Sequence, residues 1–263
     1  MINKPAVTLL SHTQIANPNT FLPAFREWSA AHPEFAEIEE RDATVLNEES
    51  VRLFDSAEGG TEPEKVIEFA GRACYQAFHR PNPKTADIPG YIKNIIAQGH
   101  ESVLEHSSAT FYIEGASRNL THELIRHRHL NYSELSQRFV NVAETEFVLP
   151  PAFSEHMDDA GLEALGKVTS AVREAYVKIV EYLQDDKGLP RKQAREAARS
   201  VLPGNTETKI VVTGNFRAWR DVLKKRLDPA ADAEIRIMCE HILVGLLAVA
   251  PSVFTDIYEE FYG

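Results

Sequence analysis

The chain has 263 residues, 39 acidic against 28 lysine and arginine side chains, and a net charge of −11. That length supports one substantial core, and that charge repels a polyanion at long range, which excludes nucleic acid as a general partner but leaves room for a small phosphorylated ligand in a local basic pocket. Only two cysteines occur, Cys74 and Cys239, no secretory leader is read, and no apolar run approaches the roughly 20 residues that span a bilayer, so a cytoplasmic protein with reduced thiols is expected.

Val7 and Leu9 alternate with polar neighbours as a short first strand would, and a helix is expected over about 20–31. From about 33 to 62 the chain turns acidic and carries Gly59-Gly60, which reads as a peripheral insertion on one domain spanning 1–263. Regular structure resumes at Pro63, with Val66, Phe69, Ala70, Ala73 and Ala77 marking one helical face. Cys74 lies beside that face and reads as buried and inert, because no histidine nearby offers the pairing that makes a thiolate. Pro81, Pro83 and Pro89 interrupt the chain, and a helix carrying Tyr91, Ile92, Ile95 and Ile96 follows, ending at Gly99. The segment His100 to His106 holds two histidines and two glutamates, as compatible with a structural network as with a site.

Phe111 and Ile113 alternate as in a strand, and Leu120, Leu124 and Ile125 follow at helical spacing. This helix leads into the densest chemistry of the chain, HELIRHRHLNYSELSQRF, residues 122 to 139. Arg126, Arg128 and Arg138 suit an anionic ligand, since a guanidinium fork holds phosphate or carboxylate oxygens two at a time. If the segment stays extended, Glu134, Ser136 and Arg138 share one face. His122 and His127 are five residues apart, not the four that a zinc-protease helix needs, and no further ligands stand at metal spacing, so no metal site is expected.

Phe147, Val148 and Leu149 end a strand before Pro150-Pro151. An amphipathic helix from about 158 to 184 puts Leu162, Leu165, Val168, Val172, Ala175, Ile179 and Leu183 on one stripe, which could face the same chain or another copy. In RKQAREAARSVLP, Arg195 and Arg199 stand four apart on one helical face and could serve one anion, or pair with Glu196 and other acids. Ile210 to Val212 form a strand that passes Gly214 into a helix starting near Asn215, whose free N–H groups and dipole would suit a phosphate. Arg226 arrives nine residues after Arg217 beside Lys224 and Lys225, where a solvated cationic helix end is the default. Ile235, Met238, Ile242, Leu246, Leu247, Phe254 and Ile257 read as packed helix.

Arg126-His127-Arg128, seven residues, then Ser136, with Glu134 and Arg138 in support, resembles the signature of the flavin-dependent thymidylate synthases. Asn131, Ser133 and Phe139 depart from the commonest pattern, which has serine, asparagine and tyrosine there. The resemblance covers roughly 63 to 257 and implies an α+β fold of the broad α/β kind, a central mainly antiparallel sheet flanked by helices. It implies reductive methylation of dUMP to dTMP, with 5,10-methylenetetrahydrofolate as carbon donor, FAD as redox carrier, NADPH as reductant, tetrahydrofolate released and no cysteine nucleophile. It assigns dUMP to Glu123, Leu124, Ile125, Arg126, Glu134, Leu135, Ser136, Gln137, Arg138, Arg199 and Arg226. It assigns FAD to Ser102, Arg126, His127, Arg128, Glu134, Asn215, Phe216, Arg217 and Asp221, the last a departure in residue type. Arg226 would face the uracil ring and favour ionisation at N3, the task of a fixed cation in a site that excludes water. Homotetramers with active sites at subunit interfaces are also implied. A flavin-free nucleotide-binding module is the alternative; it would bind dUMP without oxidising NADPH.

Overall fold

The computed structural model describes residues 1–2, 4–16, 27–28, 30–32, 59–79 and 82–263. Most of the helix expected over 20–31, and nearly all of the acidic stretch at 33–62, lie outside the described residues. Four strands, β1 (Ala6–His12), β2 (Ser108–Ser117), β3 (Asn131–Glu134) and β4 (Glu207–Asn215), form an antiparallel sheet in the order β1-β2-β4-β3. The two central strands alternate buried and half-buried residues, as period-two patterning requires when one sheet face is covered. Phe111 pairs with Val212 and Ile113 with Ile210, and all four are buried.

Helices cover that apolar face. In chain order they are α1 (Glu62–Tyr75), α2 (Ile88–Ala97), α3 (Arg118–Leu124), α4 (Pro151–His156), α5 (Asp159–Glu181), α6 (Arg191–Ala198), α7 (Phe216–Arg226), α8 (Ala233–Val249) and α9 (Pro251–Tyr262). Trp219 of α7 meets Phe111 edge-on, with ring centroids 5.3 Å apart, and its indole N–H donates to the Ala109 carbonyl at 3.1 Å. Phe216 meets Phe254 of α9 in the same way at 5.3 Å. Such pairs add about 0.5–1.5 kcal/mol to what burial alone supplies. They fix α7 against the sheet, and α7 carries the residues of greatest chemical interest.

The face of α1 marked by Val66, Phe69, Ala70, Ala73 and Ala77 is only half-buried; Ile67, Glu64, Glu68, Gly71 and Arg72 turn inward instead. Polarity misleads here because the buried charges are satisfied internally. Glu64 accepts from the amides of Thr61 and Ser252, and Arg72 donates to Glu68 at 2.6 Å and to the carbonyls of Ala77 and Thr85. The same rotation leaves Cys74 exposed, against the expectation of burial, whereas Cys239 is buried.

The stripe on α5 is likewise mostly half-exposed, with Val168 58 % exposed, and only Thr169 and Tyr176 are buried. Tyr176 packs with Val142 and Ala198, flanked by Ile179, Val180, Val201 and Leu202, in a small cluster apart from the main core. Among the described residues no helix is long and apolar enough to cross a membrane.

Candidate active site

The site grows from the C-terminal end of α3. Ser117 caps this helix by accepting from the Leu120 amide, and is itself held by Glu234 of α8 at 2.7 Å. Leu120 and Leu124 are buried, but Ile125 lies 42 % exposed, off the face that its spacing suggested. The helix ends at Leu124 and the chain continues in tight turns, with Arg126, His127 and Leu130 amides bonded to carbonyls three residues back. The hydroxyl of Tyr132 on β3 lies 2.7 Å from the Leu124 carbonyl and 2.8 Å from that of His127, donating between them and tying the basic turn to the sheet. Burial pushes that phenol up to about 12, so it stays a donor. Sequence reasoning passed over Tyr132, because nothing local marks it as the partner of these carbonyls.

The expected shared face of Glu134, Ser136 and Arg138 does not form. β3 stops at Glu134, and the Ser136 carbonyl accepts from the amides of Phe139 and Val140, so the chain turns instead of extending. Glu134 is gripped by Arg118 at 2.5 Å, Thr121 at 2.9 Å and Thr208 at 3.1 Å. Leu135, Ser136 and Arg138 are half-buried and Gln137 is buried, while Phe139 and Val140 are exposed. Arg138 pairs with Glu196 at 3.4 Å. Arg195 donates to the Phe139 carbonyl at 2.5 Å, while Arg199, beyond the end of α6, is exposed, so the two do not meet a common partner.

At the other end of the site, Asn215 caps α7 by accepting from the Ala218 amide at 2.8 Å, and the Phe216 amide donates to Ser107. Two of the first N–H groups are thereby spent, so the helix start offers an anion less than expected. What it offers instead is a cavity of about 300 Å³ lined by Glu105, His129, Asn215, Arg217, Ala218 and Asp221. Arg217 pairs with Glu105 at 2.5 Å, which ties α7 to the 3₁₀ segment Glu101–His106 that carries exposed Ser102. Phe216 belongs to the core and not to this cavity.

Arg226, the last residue of α7, is no solvated cation. Its Nε donates to His127 Nε2 at 2.9 Å, and its two terminal nitrogens donate to the Glu123 carboxylate at 2.7 Å and the Glu123 carbonyl at 3.2 Å. His127 accepts only if that nitrogen is unprotonated. Burial first, and then the Arg226 charge, hold the imidazole below its ordinary 6.5, which keeps it neutral. Its other nitrogen lies 3.8 Å from Asp221. Burial, and after it the neighbouring Asp232 carboxyl, raise Glu123, with Arg226 pulling the other way. Glu123, Ile125, Glu134 and Asp232 line a second cavity of about 490 Å³, together with Arg118, Asn119, Thr121 and His122.

A chain of polar contacts, Glu123 to Arg226 to His127 to Asp221, therefore runs from the lining of one cavity to that of the other. Beside it Arg126 and Arg128 are exposed, and among the described residues neither they nor Arg199 has an acidic partner. Unpaired arginines on a chain of net charge −11 suit anionic ligands. Neither thiol joins the site: Cys239 is buried, which pushes it up to about 12, and Cys74 stands on α1.

The family described as "Thymidylate synthase complementing protein" matches residues 53–252, reaching about ten residues further toward the amino terminus than the motifs alone suggested. Among curated relatives, the flavin-dependent thymidylate synthase of Mycobacteroides abscessus is 53 % identical over 207 residues, 76 % of this chain and 80 % of that protein. Those of Mycolicibacterium gilvum and Mycobacterium bovis are 52 % and 51 % identical over the same length and the same shares.

Proposed function

The chain belongs to the flavin-dependent thymidylate synthases, and from that membership we propose how its own residues carry the reaction. The enzyme is a methyltransferase that converts dUMP to dTMP, with methylenetetrahydrofolate as carbon donor, NADPH as reductant and FAD as cofactor. The flavin, when bound, supplies the redox chemistry that carries reducing equivalents from NADPH toward the pyrimidine. The protein's share is to bind, orient and stabilise charge.

Arg226 activates the pyrimidine ring. Of the five N–H groups of a guanidinium, three are engaged by Glu123 and His127, which leaves two for the uracil oxygens while the side chain stays fixed. A pre-oriented cation of this kind stabilises the ring anion without reorganising during the step. That anchoring of Arg226 by the signature turn is the observation that carries the assignment. Glu123, Leu124, Ile125 and Arg126, together with Glu134 to Arg138 and Arg199, hold dUMP. Unpaired Arg126 and Arg199 fit its phosphate.

Ser102, Arg126 to Arg128, Glu134, Asn215, Arg217 and Asp221 lie along FAD, with the buried Phe216 behind them. The fit is chemical: Arg126 and Arg128 supply unpaired cations for a diphosphate, and Asn215, Arg217 and Asp221 line one cavity with His129. At about 300 Å³ that cavity is small for a dinucleotide, which favours a homotetramer whose neighbouring subunits complete each site. The half-exposed α5 stripe offers a surface for such contacts. We take the chain as one cytoplasmic domain, with the acidic segment near 33–62 as a peripheral insertion. The purified protein is expected to be yellow, with a flavin spectrum that dUMP perturbs. Colourless protein that cannot be reconstituted with FAD would overturn the cofactor assignment.

A further inference from the structure

Arg220 stands on α7 between Arg217 and Asp221, both of which line the 300 Å³ cavity, yet it turns the other way and is 1 % exposed. Asp256 of α9 takes both of its terminal nitrogens, at 2.7 and 2.6 Å, and the Val253 carbonyl accepts from one of them. Its Nε–H is buried and, among the described residues, has no hydrogen-bond partner. Such a donor is rare and costly in a folded protein. The Glu101 carboxylate lies 3.8 Å from that nitrogen, near enough for an ion pair and too far for a hydrogen bond. Glu101 opens the 3₁₀ segment Glu101–His106 and directly precedes exposed Ser102. The far end of the segment is held firmly: Leu104 is buried, and Ser107 donates to the Pro63 carbonyl and accepts from the Phe216 amide, both at 2.8 Å. Its near end has less to hold it, since His100 makes no side-chain capping bond. Glu105 pairs with Arg217, but both are exposed, so the pair contributes little, and Arg217 is among the residues assigned to FAD. Arg220, gripped by Asp256 on two nitrogens, cannot be drawn away.

We propose that Glu101 is a positioning residue for the flavin: it holds the segment carrying Ser102 against α7 through the free Nε–H of buried Arg220, and the 3.8 Å separation closes to a hydrogen bond when FAD occupies the site. The inference rests on the assignment of Ser102 to FAD and extends it one residue along the chain. A bond made only in the bound state adds to FAD affinity, and by the same coupling FAD tightens the segment.

FAD titrations of the full chain, stripped of flavin, test this in the unsubstituted protein, Glu101→Ala and Glu101→Gln. Glu101→Ala is expected to raise the Kd for FAD about tenfold, the worth of one hydrogen bond to a charged group. Glu101→Gln, whose amide oxygen still accepts from Nε, recovers part of that loss. An unchanged Kd in Glu101→Ala overturns the proposal, and a glutamine variant no better than alanine overturns the bond to Arg220. Hydrogen exchange over residues 101–106 supplies a reading that a merely structural Glu101 would not move. FAD slows exchange there in the unsubstituted protein and slows it less in Glu101→Ala. Equal slowing in the two overturns the role of Glu101. An unsubstituted protein that binds FAD with no slowing in this segment overturns the placement of Ser102 itself, whereas slowing there, with an unchanged Kd in Glu101→Ala, leaves Ser102 in place and overturns Glu101 alone.

Discussion

His127 shows most directly how charge is arranged in this site. It lies between Arg226, which donates to it, and Asp221, 3.8 Å away, and it is held below its ordinary 6.5. A histidine lowered in the folded state contributes stability that is complete above 6.5 and is lost as pH falls through the folded value. Thermal melts from pH 8 to 5 are therefore expected to show a loss of stability below about 6.5 that His127→Gln reduces, since glutamine accepts from Arg226 without titrating. The same acid dependence in both proteins would remove His127 as its source. At this scale the signature Arg126-His127-Arg128 with Ser136 made the site legible in the sequence. Its partners were not: Arg226 meets Glu123 from 103 residues away and Arg217 meets Glu105 from 112. Such pairings leave no local pattern to read.

At the scale of elements, the site depends on a turn that the sheet holds in place. Tyr132 stands on edge strand β3, opposite Val212 of β4, and its hydroxyl reaches back to the two carbonyls that close the basic turn. Tyr132→Phe removes one donor from carbonyls that keep the His127 and Leu130 amides, an expected loss of about 0.5–1.5 kcal/mol, read as a lower midpoint in denaturant. It should also weaken dUMP binding, because Arg126 and His127 lie within the loosened segment. An unchanged midpoint would show that the turn holds itself. β2 and α2 were legible from the periodicity of one covered face, and β4 and α7 from the β-branched run Ile210 to Val212 and the helix start at Asn215. α1 was misread because its buried face carries Glu64, held by backbone amides, and the paired Glu68 and Arg72, charges that mimic a solvent face. The face that Glu134, Ser136 and Arg138 would share in an extended segment does not form, and the turn at Ser136 has neither glycine nor proline to announce it.

At the scale of the whole molecule, the cavities of the site and, among the described residues, exposed arginines without an acidic partner sit on a strongly acidic chain. That contrast favours small anions over nucleic acid, since a local field survives within about a Debye length while the net charge repels a long polyanion. In the proposed tetramer, further copies complete the cavities and cover the half-exposed α5 stripe. Light scattering of the flavin-loaded enzyme is expected to give about four times the 29.5 kDa of one chain. A fully active monomer would require each chain to close its own site. The central claim is that Arg226, fixed by Glu123 and His127, carries the activation of the pyrimidine. Steady-state turnover of Arg226→Ala at saturating dUMP, beside the unsubstituted enzyme, tests it most directly. A kcat lower by about 10²–10³, as for loss of one charge-stabilising donor, with FAD retained, is expected, and an undiminished kcat would contradict it.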